Sequence, residues 1–160
     1  MDKDISLRRK FTFKKNGKKI VFIKKSYESE AHVTAKAAVF GLYYSKYPGL
    51  GVEVNILDKY KPDLLMTDDN DHPIFWAECG VVKKEKIRKL FKKYKDTHFV
   101  FAKFTKEIRQ FSGMVKKEKE KSGHRSIIDI IKIPENPGTF ISPDGSIDLR
   151  RKDCETITLR

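Results

Sequence analysis

The stretch KPDLLMTDDNDHPIFWAECG, residues 61–80, sets the architecture around which the other predicted elements are arranged. Two short apolar runs flank the polar segment 68–73, and apolar runs bounded by Pro, Asn and Asp are typical of a β-hairpin. Each predicted strand carries one carboxylate, because Asp63 opens the first strand and Glu78 closes the second. A hairpin brings both carboxylates to the same end, where they repel each other unless a positive charge lies between them.

The two acids have an ordinary and a chemical interpretation. In the ordinary one, they are solvated charges at the ends of strands. In the chemical one, Asp63 and Glu78 hold a divalent cation such as Mg²⁺ or Mn²⁺, which takes a few carboxylates together with water and phosphate oxygens. The acidic turn is not a calcium loop, because residues 69–73 lack the central Gly that such a loop requires.

Length and composition restrict the class of protein. A chain of 160 residues can bury a substantial core, and we expect one domain over residues 1–160. Cys79 and Cys154 make neither a disulfide framework nor a zinc cluster, which favours a reduced, cytoplasmic protein. The charged start at residues 1–4 is not followed by an apolar stretch, and no apolar run approaches membrane-spanning length. We therefore expect neither a signal peptide nor a membrane partner.

The charge of the chain is strongly positive. There are 35 Lys and Arg residues against 22 Asp and Glu residues, which gives a formal net charge of +13. Such a field attracts polyanions, with DNA or RNA as the first candidate and an anionic membrane surface as the second. Lysine-rich composition also occurs in proteins of thermophiles, so charge alone does not identify the partner.

Three elements are predicted before the acidic hairpin. Asn16-Gly17 lies between alternating runs, which predicts an N-terminal hairpin with a basic tip. A helix follows from Ser26 or Ser29 to about Tyr47, and Ser29 is its expected N-cap. Glu30 in its first turn can cap the backbone or reach a metal held by the following strands. Residues 51–57 form a further strand candidate.

A basic helix is predicted directly after the acidic hairpin, over residues 83–95. Its apolar residues repeat at steps of three and four, which predicts one buried face, while the other face is almost entirely cationic. The cationic face either neutralises phosphates beside the proposed metal or is merely solvated. The residues assigned to nucleic-acid binding on this face are Lys84, Arg88, Lys89, Lys92 and Lys93.

The remaining pattern completes an α/β chain of the α+β type, with a mixed sheet flanked by helices. Strands are predicted at 98–104 and 126–133, with a helix at 105–121 between them and short strands after residue 139. A strand, a helix and a strand in succession imply a crossover and a parallel pair.

This order of elements resembles the PD-(D/E)XK nuclease superfamily, and within it the YaeQ-like branch. The resemblance implies a restriction-endonuclease-like αβββαβ core in which Asp63 and Glu78 bind Mg²⁺ and Glu30 corresponds to an acid on the first helix. The features that carry it are the N-terminal hairpin, Ser29-Glu30, Pro62-Asp63, Glu78-Cys79-Gly80, Ile87-Arg88-Lys89 and the Asp144-Gly145 turn.

One position departs from the family pattern. Gly80 stands where the family has the Lys that orients the attacking water, and a glycine cannot polarise water. In some branches the neighbouring helix supplies the cation, so Lys83, Lys86 or Lys89 can take this role, with Lys83 and Lys86 joining the two acids as catalytic candidates. Three functions stay open: a metal-dependent nuclease, a catalytically inactive nucleic-acid-binding protein on the same fold, and a protein-interaction scaffold.

Outside the proposed site, two residues are expected to have ordinary roles and a third has two possible roles. His32 is expected on a helix surface, because no pair of histidines has the spacing of a zinc site. Cys79 points away from Glu78 and is expected to be a small buried residue. Asp129, which lies among isoleucines, is either a buried hydrogen-bonding carboxylate or a late contributor to the site.

Overall fold

The computed structural model describes residues 9–52, 54, 56, 58–104 and 108–160. These residues form an N-terminal hairpin and a six-stranded mixed sheet flanked by helices, which confirms the predicted α+β architecture. The strands are β1 (Arg9–Lys15), β2 (Lys18–Lys24), β3 (Gly51–Val52), β4 (Leu64–Thr67), β5 (Pro73–Cys79), β6 (His98–Lys103), β7 (Ile128–Lys132) and β8 (Glu155–Leu159). The helices are α1 (Glu30–Tyr43), α2 (Lys84–Lys93) and α3 (Arg109–Ser122).

The central sheet has the strand order β3-β4-β5-β6-β7-β8. Strands β5, β6 and β7 are parallel to one another, and the other neighbours are antiparallel. Helix α2 connects β5 to β6 and helix α3 connects β6 to β7, as parallel neighbours require a crossover connection. The predicted parallel pair after the acidic hairpin is confirmed.

A separate hydrophobic core lies on each face of the sheet. On one face, Phe40 of α1 packs in the same cluster as Phe75 of β5 and residues of the N-terminal hairpin. On the other face, Phe91 of α2 and Val115 of α3 pack in a cluster with Trp76 of β5. The neighbours Phe75 and Trp76 belong to different cores because successive side chains of a strand point to opposite faces. The sheet is therefore packed on both faces, by α1 on one and by α2 and α3 on the other.

Local sequence signals explain several element boundaries. Asn16 and Gly17 have positive φ angles of 50° and 79°, as the tight turn of the N-terminal hairpin requires. Ser29 caps α1 as predicted, because its hydroxyl accepts a hydrogen bond from the His32 backbone N–H at 3.1 Å. Helix α1 ends at Tyr43, four residues earlier than predicted, although the Tyr47 N–H still donates to the Tyr43 carbonyl at 2.9 Å.

Two predicted boundaries fall partly outside the described residues. Of the strand predicted at 51–57, only β3 is present in the described part, while residues 53, 55 and 57 lie outside it. The helix predicted from residue 105 begins at Arg109, and residues 105–107 also lie outside the described part. The short strands predicted after residue 139 are reduced to two isolated bridges, Ile141 with Ile147 and Ser146 with Lys14, followed by β8. No helix among the described residues is long and apolar enough to cross a membrane.

Candidate active site

The acidic hairpin brings its two carboxylates to the same end, as predicted. Leu64 pairs with Ala77 in the ladder of β4 and β5, and the Asp63 backbone N–H donates to the Ala77 carbonyl at 3.0 Å. The Cys79 backbone N–H donates in turn to Asp63 Oδ2 at 2.8 Å. Asp63 directly precedes β4 and Glu78 lies next to the end of β5. The two acids therefore lie at the same end of the hairpin, but Asp63 contacts His32 of α1 while Glu78 contacts Lys86 of α2.

Glu78 is buried and already has two partners. Its Oε1 accepts a hydrogen bond from Trp76 Nε1 at 3.0 Å and lies 2.8 Å from Lys86 Nζ. Burial raises the pKa of Glu78, the charge of Asp63 adds to the rise, and Lys86 and Trp76 oppose it. The balance leaves the pKa above its usual range, so protonation of this carboxyl is easier than that of an exposed one.

Lys86 is the lysine of α2 that contacts the buried acid. Lys83 is the exposed N-cap residue of α2, and Lys89 forms an ion pair with Glu85 at 3.3 Å. Residues three apart lie at neighbouring but different positions around a helix. Of the three positions, that of Lys86 meets the end of β5. Of the three lysines predicted as substitutes for the family's lysine, the structure brings Lys86 to Glu78.

Asp63 contacts the first helix through His32. His32 Nε2 lies 3.3 Å from Asp63 Oδ1, and His32 Nδ1 lies 2.5 Å from Glu28 Oε2. The hydrogen bond to Asp63 is the main cause of a raised pKa at His32. Lys36 Nζ also lies 2.5 Å from Glu28 Oε2. His32 therefore joins two carboxylates from a partly exposed position on α1.

Glu28 was missed as a site residue, although a sequence signal was present. Glu28, His32 and Lys36 are spaced by four residues, which places them along one side of a helix and its N-terminal extension. Burial would raise the pKa of Glu28, but the hydrogen bond and the charge of Lys36 lower it overall. The buried ion pair of Glu28 and Lys36 holds His32 beside Asp63.

Glu30, the third predicted metal ligand, lies away from the other two acids. It lines a separate depression together with Phe104 and Glu135. Each helical residue is rotated by about 100° from the one before, so Glu30 and His32 face different directions. Among the described residues, no three acidic, histidine or cysteine side chains are arranged to hold one metal. The Mg²⁺ predicted for Asp63 and Glu78 stays a prediction, because Asp63 lines the cavity beside α1 while Glu78 is bonded to Lys86 of α2.

A cavity of about 640 Å³ opens beside Asp63. Its lining includes Asp63, Cys79 and Gly80, together with His32 from α1. Lys25 and Lys61 are exposed residues at the same cavity. Lys36 and Glu28 of the lining form an ion pair with each other, so Lys25 and Lys61 are the lysines of this cavity that can attract phosphate groups.

A buried lysine from β6 takes the space beside Gly80. The Gly80 N–H donates to the Ala102 carbonyl at 3.0 Å, and the next residue, Lys103, donates from Nζ to the Gly80 carbonyl. Lys103 Nζ also lies 4.0 Å from the Phe111 ring centroid. Burial lowers the pKa of Lys103 to about 8, against the opposing charges of Cys79 and Glu78. Its one sequence signal was a lysine within a buried apolar strand.

Two solved structures of similar shape are YaeQ proteins. The YaeQ protein from Xanthomonas axonopodis pv. citri matches with a TM-score of 0.54 over 90% of this chain and 82% of that chain, at 13% identity. The YaeQ protein from Pseudomonas syringae matches with a TM-score of 0.55 over 78% of this chain and 72% of that chain, at 15% identity. The chain has a YaeQ-like fold. No protein-family model and no curated protein sequence matches it.

The YaeQ-like fold pairs most cations of α2 with acidic residues of this chain. Glu118 of α3 is fully buried and accepts two hydrogen bonds from Arg88, at 3.1 and 3.3 Å. Lys84 lies 3.8 Å from the same carboxylate, and Lys93 lies 2.9 Å from Asp58. This face is less positive than its sequence implies. With Lys89 paired to Glu85, the remaining assigned cation is Lys92, which is exposed and forms no ion pair with a described residue.

Proposed function

We propose that this chain is a metal-dependent phosphodiesterase that acts on nucleic acid, with a degenerate PD-(D/E)XK site. The observation that supports this best is the 2.8 Å contact between Lys86 and Glu78. Gly80 removes the lysine that the family pattern places two residues after the acid, and Lys86 returns a cation to that acid from the next helix. An acid with a neighbouring lysine is therefore present despite the substitution.

The proposed site divides its tasks among few residues. Asp63 and Glu78 would hold Mg²⁺ or Mn²⁺, which when bound lowers the pKa of a coordinated water and stabilises charge on the phosphate. Lys86 orients groups beside Glu78 and offsets its negative charge. A protonated His32 donates from both ring nitrogens, to Glu28 and to Asp63, and so fixes the direction of the Asp63 carboxylate. Lys25 and Lys61 attract the phosphates of the substrate.

A second candidate is a nucleic-acid-binding protein that does not hydrolyse its ligand. It is favoured by the burial of Glu78, which is 6% exposed and bonded to both Lys86 and Trp76. Removing that carboxylate from its partners to bind a cation costs free energy, because a buried charge pair is costly to break. On this reading, the net charge of +13 binds the phosphate backbone and the acids only maintain the fold.

A cleavage assay separates the two candidates. Purified protein is incubated with labelled DNA and RNA oligonucleotides in Mg²⁺, in Mn²⁺ and in EDTA. Hydrolysis predicts cleavage that EDTA and Glu78→Gln abolish and that Lys86→Met reduces about 100-fold, as loss of a positioned acid or base group does. Glu30→Gln is the matched control and should cleave like the wild type, because Glu30 lies at a separate depression.

The other outcomes of this assay are equally informative. Binding that persists in EDTA and weakens steeply with salt, without cleavage in either metal, supports the non-hydrolytic candidate, since phosphate contacts release counterions. Cleavage that survives Glu78→Gln contradicts the proposed site. Neither cleavage nor salt-sensitive binding contradicts both candidates and favours a protein-interaction scaffold.

A further inference from the structure

Exposed apolar side chains are concentrated at the cavity beside Asp63. Among the described residues, the large apolar side chains that remain exposed are Val21, Ile23, Tyr27, Val54 and Val81. Three of these five, Tyr27, Val54 and Val81, line this one cavity. Tyr27 is 82% exposed and Val81 is 97% exposed. Exposed apolar groups that gather at one place mark a binding surface more often than scattered ones do.

Tyr27 is the aromatic member of this group, and its ring is held near a cation. Lys25 Nζ lies 5.8 Å from the ring centroid of Tyr27. A flat ring that is open to solvent, with Lys25 near it and Lys61 at the same cavity, provides the two features that single-stranded nucleic acids bind: a surface on which a base stacks and charges that follow the phosphates.

The size of the cavity is consistent with one unpaired nucleotide. Its volume of about 640 Å³ lies within the ~300–1,000 Å³ range of small-molecule sites. A base inside a duplex presents only its edges, whereas a base with a free face must be unstacked. Lys25 and Lys61 form no ion pair with a described residue, so their charges remain for phosphates on either side of that nucleotide.

We propose that this cavity binds an unpaired nucleotide of a single-stranded nucleic acid, with its base stacked on Tyr27 and its flanking phosphates held by Lys25 and Lys61. The inference rests on the proposed function in that it takes nucleic acid as the ligand. It adds the class of strand, because a duplex cannot present a base to Tyr27 without unpairing. It also places the bound backbone beside Asp63, which lines the same cavity.

The test measures binding in EDTA, so that it does not depend on cleavage. Fluorescence anisotropy is recorded with a labelled single-stranded 12-mer and with the duplex of the same length. The wild type should bind the single strand more tightly. Tyr27→Ala should weaken single-strand binding about tenfold, the usual loss when one stacking ring is removed, while Tyr27→Trp should retain it. Affinity falls as salt increases, and Lys61→Met should make the slope of log affinity against log salt shallower by about 0.7.

Ile23→Ala is the matched control, because Ile23 is 50% exposed but does not line the cavity. It should bind like the wild type. Equal or tighter binding of the duplex would overturn the proposal, as would an unchanged affinity in Tyr27→Ala or an equal loss in Ile23→Ala. Circular dichroism confirms that each variant is folded. If the wild type cleaves nucleic acid but Tyr27→Ala binds normally, stacking on Tyr27 is contradicted while the phosphodiesterase proposal stands. If Tyr27→Ala weakens single-strand binding but the wild type cleaves nothing, stacking on Tyr27 stands while the phosphodiesterase proposal is contradicted.

Discussion

At the scale of single residues, Lys103 shows how the fold alters a charge that composition merely counts. Lys103 is 8% exposed, and burial lowers the pKa of its amine to about 8. The unfolded chain keeps this amine protonated up to about pH 10.4. Between these two values the unfolded state binds the proton and the folded state does not, so the contribution of Lys103 to stability rises with pH.

Lys103→Met is expected to remove that rise. The free energy of unfolding, measured by urea denaturation at several pH values from 7 to 10.5, should favour the variant at pH 7, and the wild type should recover relative to the variant as the pH increases. Lys92→Met is the control, because Lys92 is exposed and should give a difference from the wild type that does not depend on pH. A constant difference for Lys103→Met would show that its amine is not perturbed.

The same scale shows where sequence reasoning succeeded and failed. The placement of Asp63 and Glu78 at one end of the hairpin and the contact of Lys86 with Glu78 could be predicted, because the signals of a hairpin and of helical spacing are local. Lys103 was missed because its place beside Gly80 depends on the register of β5 against β6, which pairs residues more than twenty positions apart. Glu28 was missed because it precedes the helix whose first turn drew attention to Glu30.

At the scale of elements, the C-terminal turn is fixed to the N-terminal hairpin. The Lys14 N–H donates to the Gly145 carbonyl at 2.8 Å, and the Ile147 N–H donates to the Lys14 carbonyl at 2.9 Å. Gly145 has a φ of 88°, and a Cβ atom there would lie 2.2 Å from the Thr12 carbonyl oxygen. The sequence indicated a turn at Asp144-Gly145, but it did not indicate that this turn packs against β1.

Gly145→Ala is expected to lower the free energy of unfolding by about 2 kcal/mol, because a side chain at positive φ is strained and the added atom meets the backbone of β1. Gly113→Ala is the matched control. Gly113 lies in α3, and a Cβ atom there would meet nothing within 4 Å, so alanine should leave stability unchanged or raise it by up to about 1 kcal/mol. Thermal denaturation of both variants gives the comparison, and an equal effect of the two substitutions would contradict the role of the contact.

At the scale of the whole molecule, one buried carboxylate connects the layers. Asp129 of β7 is 2% exposed and accepts hydrogen bonds from Tyr43 of α1 and Thr158 of β8, both at 2.7 Å. It also lies 2.8 Å from His98 Nε2 and 2.9 Å from an Arg151 nitrogen. These partners lower the pKa of Asp129 well below its usual range, although burial opposes them. Of the two roles left open by the sequence, the hydrogen-bonding one is confirmed.

Asp129→Asn is expected to reduce the free energy of unfolding by about 3 kcal/mol at pH 7, because the buried partners of residue 129 lose the negative charge that they bind. The stabilisation from a lowered carboxyl pKa is present above the unfolded value of about 3.9 and is lost as the pH falls below it. The free energy of unfolding, measured from pH 2 to 6, should therefore fall less steeply towards low pH in the variant than in the wild type. Parallel curves for the variant and the wild type would contradict this role.

Binding of Mn²⁺ gives the most direct measure of whether Asp63 and Glu78 act as a pair at the end of the acidic hairpin. Isothermal titration calorimetry of the wild type should show one ion bound per chain. Asp63→Asn and Glu78→Gln should each abolish that binding, while Glu30→Gln should leave it unchanged. Wild-type binding in the two hairpin variants, or its loss in Glu30→Gln alone, would contradict a shared cation site.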